Sequence, residues 1–287
     1  MKTQIMKRRE HMPTESQFLS FRGLRVNFSI ARPEAQLRHR VLLLSSPLLT
    51  AFHWRKLLPE LSELGCLVAL VDLPGFGQSA CGPKIPHGSD VRARLIWGVL
   101  DEVDRMIGGR NALWHLAAHG SACATVLNMV AMHPDSARSS IHISPLLPYD
   151  GRGRAFPGKR GSSERLFERV LASEEAFGDF VARAARRPLP DYSIEKMWRP
   201  LTRPGARETF LRMLDTEEAL PKSRGFCPSI AMWGGADPFM PPDARDRLKT
   251  LLPEIEPHVI RPAGHFPMET HSRALRDYLR GWLKYVG

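Results

Sequence analysis

The sequence contains few cysteines and no arrangement of them that would support a disulfide or zinc framework. Its four cysteines, among 287 residues, lie far apart, and none belongs to a Cys-x-x-Cys pair. No apolar run reaches the roughly 18–20 residues that a membrane-spanning helix requires. The first residues are charged and lack the apolar centre of a secretory signal. These absences favour free thiols in the cytoplasm and predict no membrane association.

Motifs for nucleotides, flavins and metals are also lacking. No glycine-rich fingerprint follows a predicted strand, and the sequence has neither a phosphate-binding loop nor a ligand-spaced cluster of histidine and cysteine. We therefore expect no cofactor and no metal ion. The sequence does not indicate an oligomeric state.

The net charge of +11 raises the question of an acidic partner. More than half of it lies in the first forty residues, where nine lysines and arginines stand against three glutamates. Proteins that bind nucleic acids usually add a recognition element or stacking aromatic residues, and neither is recognisable here. We interpret residues 1–17 as a basic tail and expect no nucleic-acid partner. A small-molecule substrate, which could be acidic or carrier-bound, is compatible with this charge.

The chain shows a regular alternation of buried strands and amphipathic helices. Residues 18–31 predict an antiparallel hairpin, and apolar runs predict buried strands over residues 40–47, 66–73, 112–118, 140–147, 229–233 and 258–261. Helical periodicity separates them over residues 54–64, 91–106, 121–133 and 243–252, and again closes the chain over 272–285. The alternation predicts an α/β fold with a parallel sheet and helices on both faces.

One long segment interrupts the alternation. Residues 148–221 contain arginine-rich helical stretches separated by prolines and no convincing buried strand. An insertion of this length in an α/β sheet is most simply a helical lid over the site. The predicted core therefore comprises residues 18–147 and 222–287.

Polar or glycine-rich residues follow four of the predicted strands, at residues 45–47, 118–123, 234–237 and 263–265. Ligands of open parallel sheets bind at the carboxyl ends of the strands, so these segments are expected to meet at one site. A carboxylate that holds one ring nitrogen of a histidine leaves the other nitrogen as a base near neutral pH. Asp237 and His265 are therefore the candidate catalytic pair.

Three segments carry a resemblance to a known family: DLPGFGQS at residues 72–79, WGGADP at 233–238 and GHFPME at 264–269. In this order they resemble the α/β-hydrolase superfamily, in the lidded branch of esterases, C–C bond hydrolases, dehalogenases and cofactor-free dioxygenases. The resemblance spans about residues 18–282. It implies the α/β-hydrolase fold, with a mostly parallel central sheet, helices on both faces and an inserted helical lid. It also implies an enzyme in which Asp237 and His265 belong to a catalytic triad.

The sequence departs from the family at the nucleophile. The family's turn reads small-x-Ser-x-small, and this pattern fits when it is centred on Gly120, between Ala118 and Ala122. Centred on Ser121, it would place the bulky His119 where little room exists. We predict a glycine at the nucleophile position, with Ser121 as the alternative nucleophile.

The oxyanion hole is also altered. Where the family commonly has His-Gly-x, this chain has Ser45-Ser46-Pro47, and proline has no N–H to donate. The backbone N–H of Ser121 remains available as one donor, and a slip of one residue would make Ser46 the other. His119 and His53 are further candidates to line the site.

Three functions are compatible with these residues. The first is an enzyme in which His265 and Asp237 act as general base on a small, largely apolar carbonyl compound without a serine nucleophile. Its reaction would be non-covalent hydrolysis, C–C cleavage, cyclisation or cofactor-free oxygenation. The second is a serine ester or thioester hydrolase that uses Ser121. The third is a catalytically inactive, hydrolase-like binding protein. A dehalogenase or epoxide hydrolase is disfavoured, because the resemblance implies a carboxylate at the nucleophile position and none is present.

Overall fold

The computed structural model describes residues 16–21, 23–109, 112–148, 152–153, 162–216, 218–221 and 227–287. Its strands are β1 Ser16–Phe21, β2 Leu24–Ala31, β3 His39–Leu44, β4 Cys66–Val71, β5 Trp114–His119, β6 Ala137–Ile143, β7 Arg152–Gly153, β8 Glu218–Ala219, β9 Ser229–Gly234 and β10 Ile255–Ile260. An eight-stranded sheet lies at the centre, with the strand order β1-β2-β4-β3-β5-β6-β9-β10. Only the pairs β1–β2 and β2–β4 of this sheet are antiparallel.

Helices connect the parallel strands and cover the sheet. They are α1 Leu58–Glu63, α2 Ser89–Met106, α3 Ala122–Met132, α4 Ser162–Val170, α5 Glu174–Ala185, α6 Asp191–Leu201, α7 Ala206–Asp215, α8 Ala244–Leu251, α9 Pro267–Thr270 and α10 Ser272–Val286. Strands β4 and β5 are buried along their whole length, as expected for parallel strands covered on both faces. Within the part of the chain described, no helix combines the length and apolarity needed to cross a membrane.

Several predicted boundaries differ from the structure, including those of β1, α1 and β6. Strand β1 begins at Ser16, so the last two residues of the predicted tail belong to the sheet, whereas residues 1–15 lie outside those described. The helix predicted over residues 54–64 is divided into a 3₁₀ turn, Ala51–Trp54, and helix α1. Pro59 lies in the first turn of α1 and lacks an N–H, which favours a helix start there. Strand β6 ends at Ile143, four residues before the predicted end.

The segment of residues 148–221 is inserted between β6 and β9. Its described part contains helices α4 to α7 and the short strands β7 and β8, which pair with each other. Residues 149–151, 154–161 and 217 of this segment lie outside those described. Arg203 donates hydrogen bonds to the carbonyls of Gly77 and Ser79, and the Gly82 N–H donates to Thr209 Oγ1 at 2.8 Å. The segment is therefore attached to the loop that follows β4.

Candidate active site

The candidate base is a buried histidine that is held by a carboxylate. Asp237 follows β9 and His265 follows β10, and Nδ1 of His265 lies 2.8 Å from Oδ2 of Asp237. The other oxygen of Asp237 accepts a hydrogen bond from the Phe239 N–H at 2.9 Å. A carboxylate accepts hydrogen bonds, so Nδ1 carries the ring proton of a neutral His265. Its Nε2 atom then has a free lone pair, as a general base requires.

The inserted segment bonds to this pair and its neighbour through one backbone carbonyl and one side chain. The His265 N–H donates to the carbonyl of Ala184, in the last turn of α5, at 2.8 Å. Arg186 follows α5 with a positive φ of 61° and donates from Nε to the carbonyl of Ala236 at 2.7 Å. Two of the bonds that hold the segment in place therefore end at or next to the members of the pair.

Gly120 occupies the sharp turn between β5 and α3. Its φ of +60° lies in the left-handed region, which favours glycine. A Cβ atom built on Gly120 would lie 3.2 Å from Cβ of Ser46, 3.6 Å from Oγ of Ser46 and 3.9 Å from Nε2 of His265. The flanking Ala118 and Ala122 are fully buried. A side chain at position 120 would therefore face His265, but the chain has only a hydrogen atom there.

Ser121 takes the following position, at the N-terminus of α3. Its backbone is helical, with φ −68° and ψ −18°. Ser121 lines the same cavity as Gly120 and His265. The N–H groups of Cys123 and Ala124 in this turn donate to the carbonyls of Gly120 and Ser121. The N–H of Ser121 precedes them, has no acceptor within the helix and can serve an oxyanion. Pro47 lies across the cavity and has no N–H to add.

The remaining two predicted site residues lie behind the cavity surface. His119 is fully buried; its Nδ1 lies 3.0 Å from Oγ of Ser46, and its Nε2 lies 2.9 Å from the carbonyl oxygen of His265. His53 is also fully buried and contacts Thr50 and the Ser193 carbonyl. Burial lowers the pKa of His53 to about 4 and the pKa of His119 well below its ordinary value. Neither histidine is among the described residues that line the cavity.

The cavity beside His265 has about 630 Å³ of empty space, including its opening, and its walls are mostly apolar. The inserted segment contributes aromatic and aliphatic side chains from α4, α5 and α7, and the core contributes the polar end together with further apolar side chains. The described lining residues are Ser46, Pro47, Leu48, Gly120, Ser121, Leu146, Phe167, Phe180, Phe210, Met213, Leu214, Thr216, Phe239, His265 and Phe266. Sequence reasoning missed the phenylalanines, because an apolar residue at helical spacing predicts a buried face without indicating which surface it meets.

A metal site is not evident in the part of the chain that the structure describes. Among these residues, no group of three histidine, cysteine, aspartate or glutamate side chains is placed to hold an ion. The four cysteines are free thiols, and burial raises the pKa of Cys66 to about 12.

The sequence is similar to those of named hydrolases, and the fold is similar to that of a solved structure. A protein of Cupriavidus pinatubonensis, named 2-hydroxy-6-oxononadienedioate/2-hydroxy-6-oxononatrienedioate hydrolase, is 25% identical over 224 residues, which is 73% of each chain. A protein of Escherichia coli O139:H28 with the same name is 27% identical over 239 residues, or 78% of each chain. The crystal structure of Cfl2 from Burkholderia cenocepacia has a TM-score of 0.76 at 21% identity, covering 94% of this chain and 95% of its own.

The relatives support an enzyme of the hydrolase class, and the structural likeness confirms the predicted fold. A model of the alpha/beta hydrolase family matches residues 41–278, which is most of the chain. The eight-stranded, mostly parallel sheet agrees with this match. So does the order along the chain of the turn at Gly120 (the elbow), Asp237 and His265. The protein belongs to the alpha/beta hydrolase family.

Proposed function

We propose that the protein hydrolyses a largely apolar carbonyl compound and uses His265, held by Asp237, to activate water directly. The water takes the place that a serine hydroxyl would occupy, so no covalent intermediate forms on the chain. Its attack gives a tetrahedral oxyanion, and an N–H at the start of α3 stabilises the negative charge. This mechanism needs only groups that face the cavity.

The observation that carries the proposal is the glycine at position 120. Its bare Cα leaves an open position 3.9 Å from Nε2 of His265, at a turn with the positive φ of a nucleophile turn. A histidine with a free Nε2 and no adjacent hydroxyl at this position can still act on a bound water. General-base catalysis of this kind contributes about 10²–10⁴-fold to a rate.

The composition of the cavity walls supports a largely apolar substrate. Among the described residues that line it, none is a lysine, arginine, aspartate or glutamate. The substrates in the names of the curated relatives are dicarboxylates, which need cationic partners when they are buried. We therefore favour an uncharged or singly charged substrate, cleaved at an ester, a thioester or a C–C bond beside a carbonyl, over a dicarboxylate.

A second candidate function is a serine hydrolase that uses Ser121. It is favoured by one observation, namely that Ser121 lines the cavity beside Gly120 and His265. Against it, the helical φ of Ser121 differs from the strained, positive φ of a nucleophile turn, which Gly120 has instead.

The test is the intact mass of the protein after exposure to a serine-reactive fluorophosphonate. Wild type, Ser121→Ala and His265→Ala are compared, and hydrolysis of apolar esters, diketones and a dicarboxylate is assayed in parallel. We expect no adduct in wild type and a turnover of apolar substrates that is lost in His265→Ala. A stoichiometric adduct that disappears in Ser121→Ala would overturn the water mechanism. Substrate binding without any turnover would instead indicate a binding protein.

A further inference from the structure

A serine–histidine contact lies directly behind the turn at Gly120. Ser46 follows β3, His119 ends β5, and their side chains meet at 3.0 Å between Oγ and Nδ1. The other ring nitrogen of His119 lies 2.9 Å from the carbonyl oxygen of His265. The His119 ring also packs against the ring of His265, with a centroid distance of 4.7 Å. The contact therefore links the loop after β3 to the base.

These contacts determine where the protons lie. The carbonyl of His265 can only accept a hydrogen bond, so Nε2 of His119 carries a proton. His119 is fully buried, which disfavours the charged imidazolium, and a neutral ring has no second proton for Nδ1. Nδ1 is therefore the acceptor, and the Ser46 hydroxyl donates its single proton to it. Towards the cavity, Ser46 can offer only lone pairs.

Two acceptors thus face the open position at Gly120. A point one Cβ bond from Gly120 lies 3.6 Å from Oγ of Ser46 and 3.9 Å from Nε2 of His265. Both atoms are without a proton to donate in this direction, because the ring proton of His265 is directed at Asp237. The Cβ position is too close to Cα of Gly120 to hold a molecule itself, but it shows that both acceptors border the same small space of the cavity. A group that binds both acceptors from this space must donate two hydrogen bonds, and a water molecule does so while keeping its lone pairs free.

We infer that Ser46 Oγ and His265 Nε2 together bind the water that attacks the substrate, with Ser46 as a positioning residue. This inference rests on the proposed function. One water proton passes to Nε2 of His265 as the water oxygen forms a bond to the carbonyl carbon, and the π electrons of the carbonyl move to its oxygen. When the tetrahedral species collapses, the bond to the leaving group breaks and that group takes the proton from Nε2. The second water proton stays directed at Ser46, so the net change is the addition of one water.

The exchange of residues at this point agrees with the inference. The family resemblance places a glycine where this chain has Ser46 and a serine where it has Gly120. A Cβ at position 120 would lie 3.2 Å from Cβ of Ser46, so the two side chains would crowd each other. Compared with the family pattern, this chain therefore has its hydroxyl on Ser46, across the same small space, and none at position 120.

The test compares Ser46→Ala with Ser139→Ala. Ser139 is a matched control, because its Oγ lies 2.8 Å from Nδ1 of the buried His115 and far from the cavity-lining residues along the sheet. With the substrate that wild type hydrolyses, we expect kcat of Ser46→Ala to fall about 10- to 100-fold at unchanged KM, as for a misplaced nucleophile. Ser139→Ala should keep wild-type kcat. A crystal structure of wild type should contain a water within hydrogen-bond distance of both acceptors.

The outcomes separate this inference from the proposed function. Wild-type kcat in Ser46→Ala, or a wild-type crystal structure without that water, would overturn the role of Ser46 and leave His265-dependent hydrolysis intact. A fluorophosphonate adduct that disappears in Ser46→Ala would make Ser46 a nucleophile and overturn both. The crystal structure needs no variant, so it decides the question even if Ser46→Ala does not fold.

Discussion

Restoring a serine at position 120 should convert the protein into one that reacts as a serine hydrolase. In Gly120→Ser the new Cβ lies 3.9 Å from Nε2 of His265, so its hydroxyl comes within reach of a hydrogen bond of about 2.6–3.2 Å. Asp237 already holds the opposite ring nitrogen, and the start of α3 offers an N–H donor. We expect a stoichiometric fluorophosphonate adduct that wild type does not form.

The stability cost of this substitution follows from the backbone and the neighbouring side chain. A residue other than glycine at a φ of +60° costs about 1–3 kcal/mol. The 3.2 Å approach to Cβ of Ser46 adds strain that a small shift of Ser46 can relieve. Gly23→Ser is the matched control, because Gly23 has a φ of +78° and nothing within 4 Å of its Cβ position. We expect Gly120→Ser to have a lower melting temperature than Gly23→Ser. Adding Ser46→Gly to Gly120→Ser should recover part of the difference in melting temperature.

The assay is intact-mass spectrometry, with thermal unfolding on the same samples. The adduct of Gly120→Ser should disappear in the double variant with His265→Ala, since the serine is unreactive without its base. A Gly120→Ser protein that unfolds cooperatively, melts close to Gly23→Ser and forms no adduct would refute the reasoning. In that case position 120 would not face His265 as described.

Two further predictions concern the attachment of the inserted segment and the buried histidines. In Gly264→Ala the new Cβ would overlap the carbonyl oxygen of Ala184 and lie 2.6 Å from the backbone carbon of Ala185. We therefore expect the end of α5 to move and activity to fall. The control is Gly281→Ala in α10, where the new Cβ has open space and should raise the unfolding free energy by about 0.5–1 kcal/mol. Equal activity and melting temperature in these two variants would contradict the close approach at Gly264. Burial lowers the pKa of His142 to about 4, so the unfolded chain binds more protons between about pH 6.5 and 4 and stability falls as the pH drops through that window. Urea unfolding across this pH range gives the slope of the unfolding free energy against pH, and His142→Leu should reduce this slope by up to about 1.4 kcal/mol per pH unit. An unchanged slope would contradict a neutral His142.

The sheet was predictable because its signals are local. Parallel strands buried on both faces appear as continuous apolar runs, and β4 and β9 begin where those runs begin. The predicted end of β6 was wrong, because the apolar run continues past Ile143 into residues that are buried without being part of the strand. Leu146 lines the cavity and Leu147 packs in the core, and neither belongs to a strand. An apolar run records burial, and burial alone does not distinguish a strand from a packed loop.

The elbow shows how much of the site the spacing of small residues predicts. The small residues two positions before and after Gly120 predicted that the glycine would hold the nucleophile position, because a sharp turn has no room for larger flanks. The structure describes a positive φ at Gly120 and a helical φ at Ser121, and the register itself stays a prediction. What either residue does in a reaction stays a prediction until the adduct experiment is made.

The sequence by itself determined the fold, the positions of Asp237 and His265 at strand ends, and the missing side chain at Gly120. These features depend on periodicity and on short segments, which a linear chain displays directly. Only the tertiary structure decided that Ser46 meets His119 and that the inserted segment contributes three phenylalanines to the apolar wall. Ser46 and His119 are 73 residues apart, and nothing in the local pattern of either indicates the other. Their contact exists because β3 and β5 are neighbours in the sheet, so the loops that follow them meet at the same end.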